Sequence, residues 1–173
     1  MYPLPAVPCS AINPVNKIAI IQKIIASLDA ELARFAQSAR VAHEEATHEQ
    51  SKAENKYDTR GLEASYLANG QFRQAAETIN AREEYAALES RAFGSHDAIE
   101  LGALVELEEN GARTLYFLGP CAGGTEIVHQ KKTILVITQQ SPLGSQLKGR
   151  KQGDHLTLAI GNLRRELRIM TVE

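Results

Sequence analysis

The residues best suited to chemistry gather around position 50, with a second group near position 141. His43-Glu44-Glu45-Ala46-Thr47-His48 has the composition of a zinc-protease helix. That motif needs histidines four apart, on one helical face. Five apart, they diverge by about 140°, so the pair does not chelate. Gly123-Gly124 leads towards a strand, whereas phosphate cradles lead into a helix N-terminus. Ser141 stands before Pro142 and reads as a helix N-cap, since no recognisable motif supplies it with a His–acid pair. Residues 44–63 then remain, with Glu44, Glu45, Glu49, Glu54, Asp58 and Glu63 against Lys52, Lys56 and Arg60. The plain account of this run is a solvated helix end with acid–base pairs one turn apart. On a long thin arm, however, a carboxylate delivers negative charge into a narrow channel. There it can share a Mg²⁺ with other ligands and waters.

Such an arm is what the flanking sequence predicts. From Ile18 the apolar residues fall at Ile18, Ile21, Ile25, Leu28, Leu32, Phe35, Ala39, Ala42 and Ala46. The alternating steps of three and four make a heptad seam. Neither Gly nor Pro interrupts residues 15–60, and a helix of about 38 residues would reach about 57 Å. A second helix is expected from Leu62 to Ser90, with a seam at Leu62, Ser65, Asn69, Phe72, Ala76 and Ile79, then Tyr85, Ala86 and Leu88. The first seam thins to alanine while the second strengthens, so the two pack antiparallel. Ile18–Leu32 would face Ile79–Leu88 at the base, and a thin polar tip would lie near residues 47–63. Gly61 suits the turn, while Gly70 is an internal weak point costing about 1 kcal/mol against alanine.

After Ala92-Phe93-Gly94-Ser95 the period changes to two. Leu101, Ala103, Val105 and Leu107 alternate, Asn110-Gly111 supplies a hairpin turn, and Leu115–Leu118 returns. Further strands are expected at Glu126–His129, Ile134–Thr138, Leu156–Ile160 and Leu167–Val172, with a short helix opened by Ser141-Pro142 and closed near Gly149. The expected class is α+β. A loose arm spans residues 1–14, a coiled-coil hairpin residues 15–92, and an antiparallel β domain with one short helix residues 96–173.

Composition narrows the functions. The chain has 173 residues, a formal charge of −2 and an isoelectric point near 6.2. Residues 1–95 carry 10 basic and 12 acidic side chains, and residues 96–173 carry 9 of each. Neither half is a polycation that binds nucleic acid through charge alone. Cys9 and Cys121 lack C-x-x-C spacing, which argues for a reducing cytoplasm and against a disulfide framework or structural zinc. The proline-rich first 14 residues lack the basic start and apolar run of a secretion signal. No segment approaches the roughly 18 apolar residues of a membrane span.

Two segments resemble the Gre transcript-cleavage factors of bacterial RNA polymerase. Ile137–Asp154, ITQQSPLGSQLKGRKQGD, is similar to the family's C-terminal signature, in which a strand runs into Ser-Pro, a short helix, then Gly-Lys-x-x-Gly-Asp. His48–Tyr57, HEQSKAENKY, is similar to the hairpin tip, where Asp-x-x-Glu-Asn precedes a tyrosine. Glu54-Asn55 and Tyr57 match, with the tyrosine one residue early. The resemblance implies a coiled-coil hairpin and an FKBP-like C-terminal domain. It also implies docking at the polymerase secondary channel, with the tip at the active centre. The family's two tip acids help hold a second Mg²⁺ that activates water to cut backtracked RNA. Here Ser51 stands where the aspartate should be. Glu54 is the matching acid, with Asp58 and Glu49 as substitutes and Lys52, Asn55, Lys56, Tyr57 and Arg60 as neighbours. Polymerase binding is thus better supported than cleavage.

On this reading RNA polymerase is the partner and RNA or DNA is met only through it. The chain has no active site, cofactor or metal of its own, and any Mg²⁺ is shared with the polymerase. Ser141, Pro142, Leu143, Gly144, Leu147, Gly149, Lys151, Gly153 and Asp154 are the docking candidates. Their alternative role is to shape a helix and two turns. A different class is a peptidyl-prolyl isomerase or chaperone module, which needs an aromatic-lined pocket. Residues 96–173 offer only Tyr116 and Phe117, adjacent on a strand and so on opposite faces.

Overall fold

A computed structural model describes residues 16–47, 60–160 and 163–173 of the chain. Two long helices come first: α1 spans Lys17–Thr47 and α2 spans Arg60–Ala87. They run antiparallel, as two contacts far apart along the pair require. The Lys17 ammonium donates to the Arg91 carbonyl at the base, and Arg82 Nε meets Asp29 Oδ1 at 2.6 Å further out. Thirty-one residues of the first helix are described, up to Thr47. Gly61 lies within α2 and not in the connection.

Six strands follow: β1 (Leu104–Glu109), β2 (Ala112–Gly119), β3 (Glu126–His129), β4 (Lys132–Thr138), β5 (His155–Ile160) and β6 (Leu163–Val172). A short helix, α3 (Pro142–Leu147), sits between β4 and β5. The strand order is β3-β4-β2-β1-β6-β5. One pairing corrects the antiparallel expectation: β2 and β4 run parallel, from Leu115 beside Ile134 to Gly119 beside Thr138. The cause is β3, which takes the sheet edge and folds back as a hairpin, so that β4 enters between β3 and β2.

The alternation of each strand loads both faces of the sheet. On one face Val105, Leu107, Leu118, Ile137, Leu156, Leu158, Leu167 and Ile169 join Phe93, Ile99 and the α3 residues Leu143 and Leu147. On the other, Leu104, Leu115, Phe117, Ile127, Ile134 and Val136 receive Ile20, Ile21, Ile24 and Leu28 of α1 with Ala81 and Tyr85 of α2. The helical pair thus stands with its base on the sheet. That second contact is why the expected seams are displaced. The sheet draws Ile20 and Ile24 inward, both fully buried, and leaves Ile18 exposed. On α2 the inward line is Gln71, Ala75, Thr78, Ala81 and Tyr85, while Phe72, Ala76 and Ile79 face solvent.

Two hairpin turns show unequal local chemistry. Asn110-Gly111 places φ at 49° and 83° between β1 and β2, the left-handed pair that a two-residue turn demands. Gln130-Lys131 adopts the same form between β3 and β4, with φ of 49° and 65°, yet neither residue is glycine or asparagine. A left-handed position costs an ordinary side chain about 1–2 kcal/mol. Lys131→Gly is therefore expected to raise stability by about 1 kcal/mol. The check is an upward shift of the urea midpoint at unchanged slope.

Candidate functional site

The tip residues Glu49, Ser51, Lys52, Glu54, Asn55, Lys56, Tyr57 and Asp58 lie outside the described residues, and Arg60 is described only as the first residue of α2. What the structure fixes is the shaft that carries them. The base ends at Leu28 and Ala81, the last residues of the helices packed in the sheet cluster. From Leu28, α1 continues 19 residues to Thr47, a projection of about 28 Å. Beyond Leu28 its apolar positions shrink: Leu32 and Phe35 are half-buried and Ala39 and Ala42 are exposed.

The joint at the base is built around Tyr85, which is fully buried. Its hydroxyl donates to the Cys121 carbonyl at 2.9 Å. Burial pushes the phenol well above its ordinary range, and the neighbouring Cys121 and Glu84 add to the effect. Gly119 makes the space, since a Cβ there would overlap the Tyr85 hydroxyl. Burial likewise raises the Cys121 thiol to about 11, with Glu84 second, so Cys121 stays a thiol at neutral pH and is a poor nucleophile. At the foot of α1, the Lys17 ammonium sits 4.6 Å from the Phe93 ring centroid, with the Arg91 guanidinium at 5.1 Å. Burial lowers the Lys17 pKa, Glu173 opposes that shift, and Arg91 reinforces it. The sequence pointed to none of these contacts. The usable signal was Tyr85, the aromatic residue of α2 closest to the sheet domain.

The Ser141–Asp154 segment is held at nearly every turn. Ser141 Oγ accepts from Gly144 N at 3.1 Å and donates to the Thr138 carbonyl at 2.7 Å. Pro142 occupies the first helical turn, as the sequence predicts. Gly149 and Gly153 have φ of 82° and 90°, and Asp154 Oδ2 accepts from Lys151 N at 3.0 Å. Gly149 N bonds the Ile99 carbonyl at 2.9 Å, and Ile99 N bonds the Arg150 carbonyl at 2.7 Å. Of the docking candidates, Leu143, Gly144 and Leu147 are buried and serve the core. Pro142, Gly149, Lys151 and Gly153 are exposed, and Ser141 and Asp154 are half-buried while shaping the loop. Lys148 and Arg150 complete a basic corner that the sequence reading passed over. Arg150 spends its guanidinium on the Gln146 and His155 carbonyls, both at 3.2 Å. Among the described residues Lys148, Arg150 and Lys151 form no side-chain ion pair, although the Asp154 carboxylate lies within the loop on Lys151 N.

Tyr116 and Phe117 point to opposite faces, Phe117 into the hairpin cluster and Tyr116 against the α3 cluster. They line no common pocket. Among the described residues, two of the surface clefts are relevant here. One, of about 410 Å³, lies between the hairpin base and the 121–125 loop, walled by Leu28, Ala81 and Ala122 with Glu31, Glu77 and Thr78. The other, of about 540 Å³, lies beside β5 between Gln146, Arg150, His155 and Glu166. Among the described residues no helix is long and apolar enough to cross a membrane.

No protein-family model matches the chain, and no curated protein matches it. Among solved structures it is similar to GreA factor homolog 1 (Gfh1) of Thermus thermophilus, at 23% identity over 88% of this chain and 94% of that chain, with a TM-score of 0.36. Gfh1 of Thermus aquaticus gives 22% identity over 90% and 93%, with a TM-score of 0.38. The transcription elongation factor GreA/GreB from Nitrosomonas europaea gives 16% identity over 61% and 92%, with a TM-score of 0.35.

Proposed function

We propose that this chain is a transcription factor that binds RNA polymerase and places its hairpin tip in the secondary channel, where it modulates elongation or initiation. The observation that carries the reading is a slender helical pair, seated by its base on a sheet domain, whose joining residues hold Glu54-Asn55. The Ser141–Asp154 segment, similar to the Gre signature, supplies a well-held loop with exposed Lys148, Arg150 and Lys151 for docking. FKBP-like topology and a coiled-coil shaft belong to the same reading. So does a cytoplasmic setting, where the polymerase works.

The polymerase owns the catalytic centre, so this protein acts by position. Glu54, with Asp58 and Glu49, presents carboxylate near the polymerase's Mg²⁺. With Ser51 in place of the second acid, one ligand is missing from the transition-state charge stabilisation that a metal provides. Occupation of the channel is therefore the main action, and cleavage is weak.

The test uses a stalled, backtracked elongation complex from the cognate polymerase, with a pull-down alongside. Wild type is expected to bind and to shorten the RNA slowly or not at all. Ser51→Asp is expected to raise the rate of shortening about tenfold, the equivalent of about 1.4 kcal/mol. Glu54→Ala is expected to remove whatever shortening there is. Absence of binding would overturn the reading and bring the isomerase alternative forward, which a proline-isomerisation assay without polymerase then decides.

A further inference from the structure

The sheet ends on β5, which pairs with β6 alone. In an antiparallel ladder, successive residues turn their backbone groups to opposite sides of the strand. The Asp154 carbonyl accepts from Ile169 N at 2.9 Å and so points at β6. The His155 carbonyl accepts from the Arg150 guanidinium at 3.2 Å and so points the other way. By the same alternation Leu156 and Leu158 bond β6, while Thr157 and Ala159 turn N–H and C=O outward. Among the described residues nothing bonds those outward groups. The opposite edge of the sheet differs, because the Lys23 ammonium of α1 reaches the Val128 carbonyl of β3.

Space and charge accompany the free edge. The cleft of about 540 Å³ runs beside β5, with Gln146 and Arg150 on its α3 side. An added strand would lie about 4.8 Å from β5, on that side. The edge is flanked by exposed cations: Lys148, Arg150 and Lys151 in the loop, and Arg164 and Arg168 on β6 across from Ala159 and His155. Among the described residues none of the five is in a side-chain ion pair. The acids within residues 148–168 are Asp154 and Glu166, and Asp154 is held on Lys151 N.

We infer that the outer edge of β5 takes an acidic, extended segment of a partner protein, which adds to the sheet as a further strand. Backbone bonds to Thr157 and Ala159 would hold it, and the flanking cations would select its charge. A second copy pairing through the same edge would set five cations against five, which opposes edge-to-edge association. A nucleic acid would meet the cations but no stacking platform. The aromatics of residues 96–173 are Tyr116 and Phe117, and both pack in the core clusters. The inference does not rest on the polymerase reading, because it needs only the free edge and its charges.

Fluorescence anisotropy on the full chain tests it, without polymerase, using a labelled, end-blocked peptide of about eight alternating glutamates and threonines. Wild type is expected to bind it with a Kd below about 100 µM at low salt, and not to bind the lysine–threonine counterpart. The glutamate peptide N-methylated throughout keeps its charges and loses every backbone donor, so it is expected to bind at least about tenfold more weakly. Thr157→Pro removes one outward N–H and leaves the β6 ladder whole, since that N–H takes no part in it. It is expected to weaken binding at least about tenfold, at unchanged far-UV circular dichroism. Arg164→Glu/Arg168→Glu, at two exposed positions, is expected to do the same. If Thr157→Pro does not fold, the N-methylated peptide decides on wild type. No binding of the glutamate peptide at about 1 mM overturns the inference. So does an N-methylated peptide that binds as tightly, because charge alone then holds it. Equal competition by a single-stranded oligothymidylate of the same net charge also overturns it, and makes the edge a general anion surface.

Discussion

Tyr85→Ala is expected to cost about 4 kcal/mol of stability and to lower the melting temperature by about 8–16 °C for a chain of this size. The ring is fully enclosed where α2 meets the sheet, in the cluster of Ile20, Ile24, Phe117 and Val136. Removing it leaves a cavity bounded by backbone at Gly119 and Cys121, which can collapse only by moving β2. Tyr85→Phe separates the hydroxyl from the ring. It leaves the Cys121 carbonyl without its donor and is expected to cost about 1–2 kcal/mol. The phenol also carries a pH signature. Its pKa is raised above the ordinary 10.0 by burial, so its stabilising share is complete below about pH 10. Above that pH the unfolded chain ionises while the fold resists, and stability falls. The Cys121 thiol, raised from 9.0 to about 11, drains stability with the same sign from pH 9 upward. Urea titrations between pH 8 and 11 should therefore show a shallower alkaline decline in Tyr85→Phe than in wild type, with the thiol's part retained. If Tyr85→Ala lost less than about 1 kcal/mol, the ring would not be the joint between hairpin and sheet.

That joint also explains which parts of the fold were legible in the sequence. Period and punctuation predicted the antiparallel helical pair, all six strands and the Ser141-Pro142 helix start, because each is a local property. The inward face of each helix was not local. Ile18, Ile25 and Leu32 share a heptad with Ile21 and Leu28, and the spacing alone cannot say which helix side meets a sheet that lies 80 residues away in sequence. Phe72 and Ile79 misled for the same reason: large apolar residues at seam spacing point outward because the sheet, and not α1 alone, sets the rotation of α2. The parallel β2–β4 pairing was equally hidden. Four residues of β3 and a two-residue turn look like the start of a meander, and only the long-range placement of β3 at the edge makes β4 turn inward.

The candidate site divides differently. Residue types and a resemblance picked out the tip acids and the Ser141–Asp154 segment, but resemblance does not separate a residue that touches a partner from one that shapes the loop. Burial makes that separation for Leu143, Gly144 and Leu147, which are inside. Hydrogen bonding makes it for Ser141 and Asp154, whose side-chain oxygens are engaged with Gly144 N and Lys151 N. What the loop can offer a partner is then Pro142 and the cations Lys148, Arg150 and Lys151.

Gly144→Ala is expected to destabilise the protein by about 3 kcal/mol, through a clash no side chain can relieve. A Cβ at this position would overlap the Thr138 carbonyl oxygen, with the Thr138 carbonyl carbon at 2.9 Å and Ser141 Oγ at 3.0 Å. Two of these are backbone atoms at the end of β4, paired in the sheet beside β2. Relief therefore requires α3 to lift. Lifting α3 withdraws Leu147, which is fully buried, and Leu143 from their shared core. It also breaks the Ser141 cap, which by itself is worth about 1 kcal/mol. Ser141→Ala should accordingly lose about 1 kcal/mol and Gly144→Ala well over twice that. Ser145→Ala, one residue on at an exposed position, should stay within about 0.5 kcal/mol. Urea unfolding ranks the three by midpoint at constant slope. The Gly144 variant should also lose affinity for whatever the 141–154 loop binds, because the glycines at 149 and 153 and the cations between them hang from the same helix. A Gly144→Ala protein as stable as Ser145→Ala would show that α3 shifts freely on the sheet, and the loop could not then be a rigid docking element.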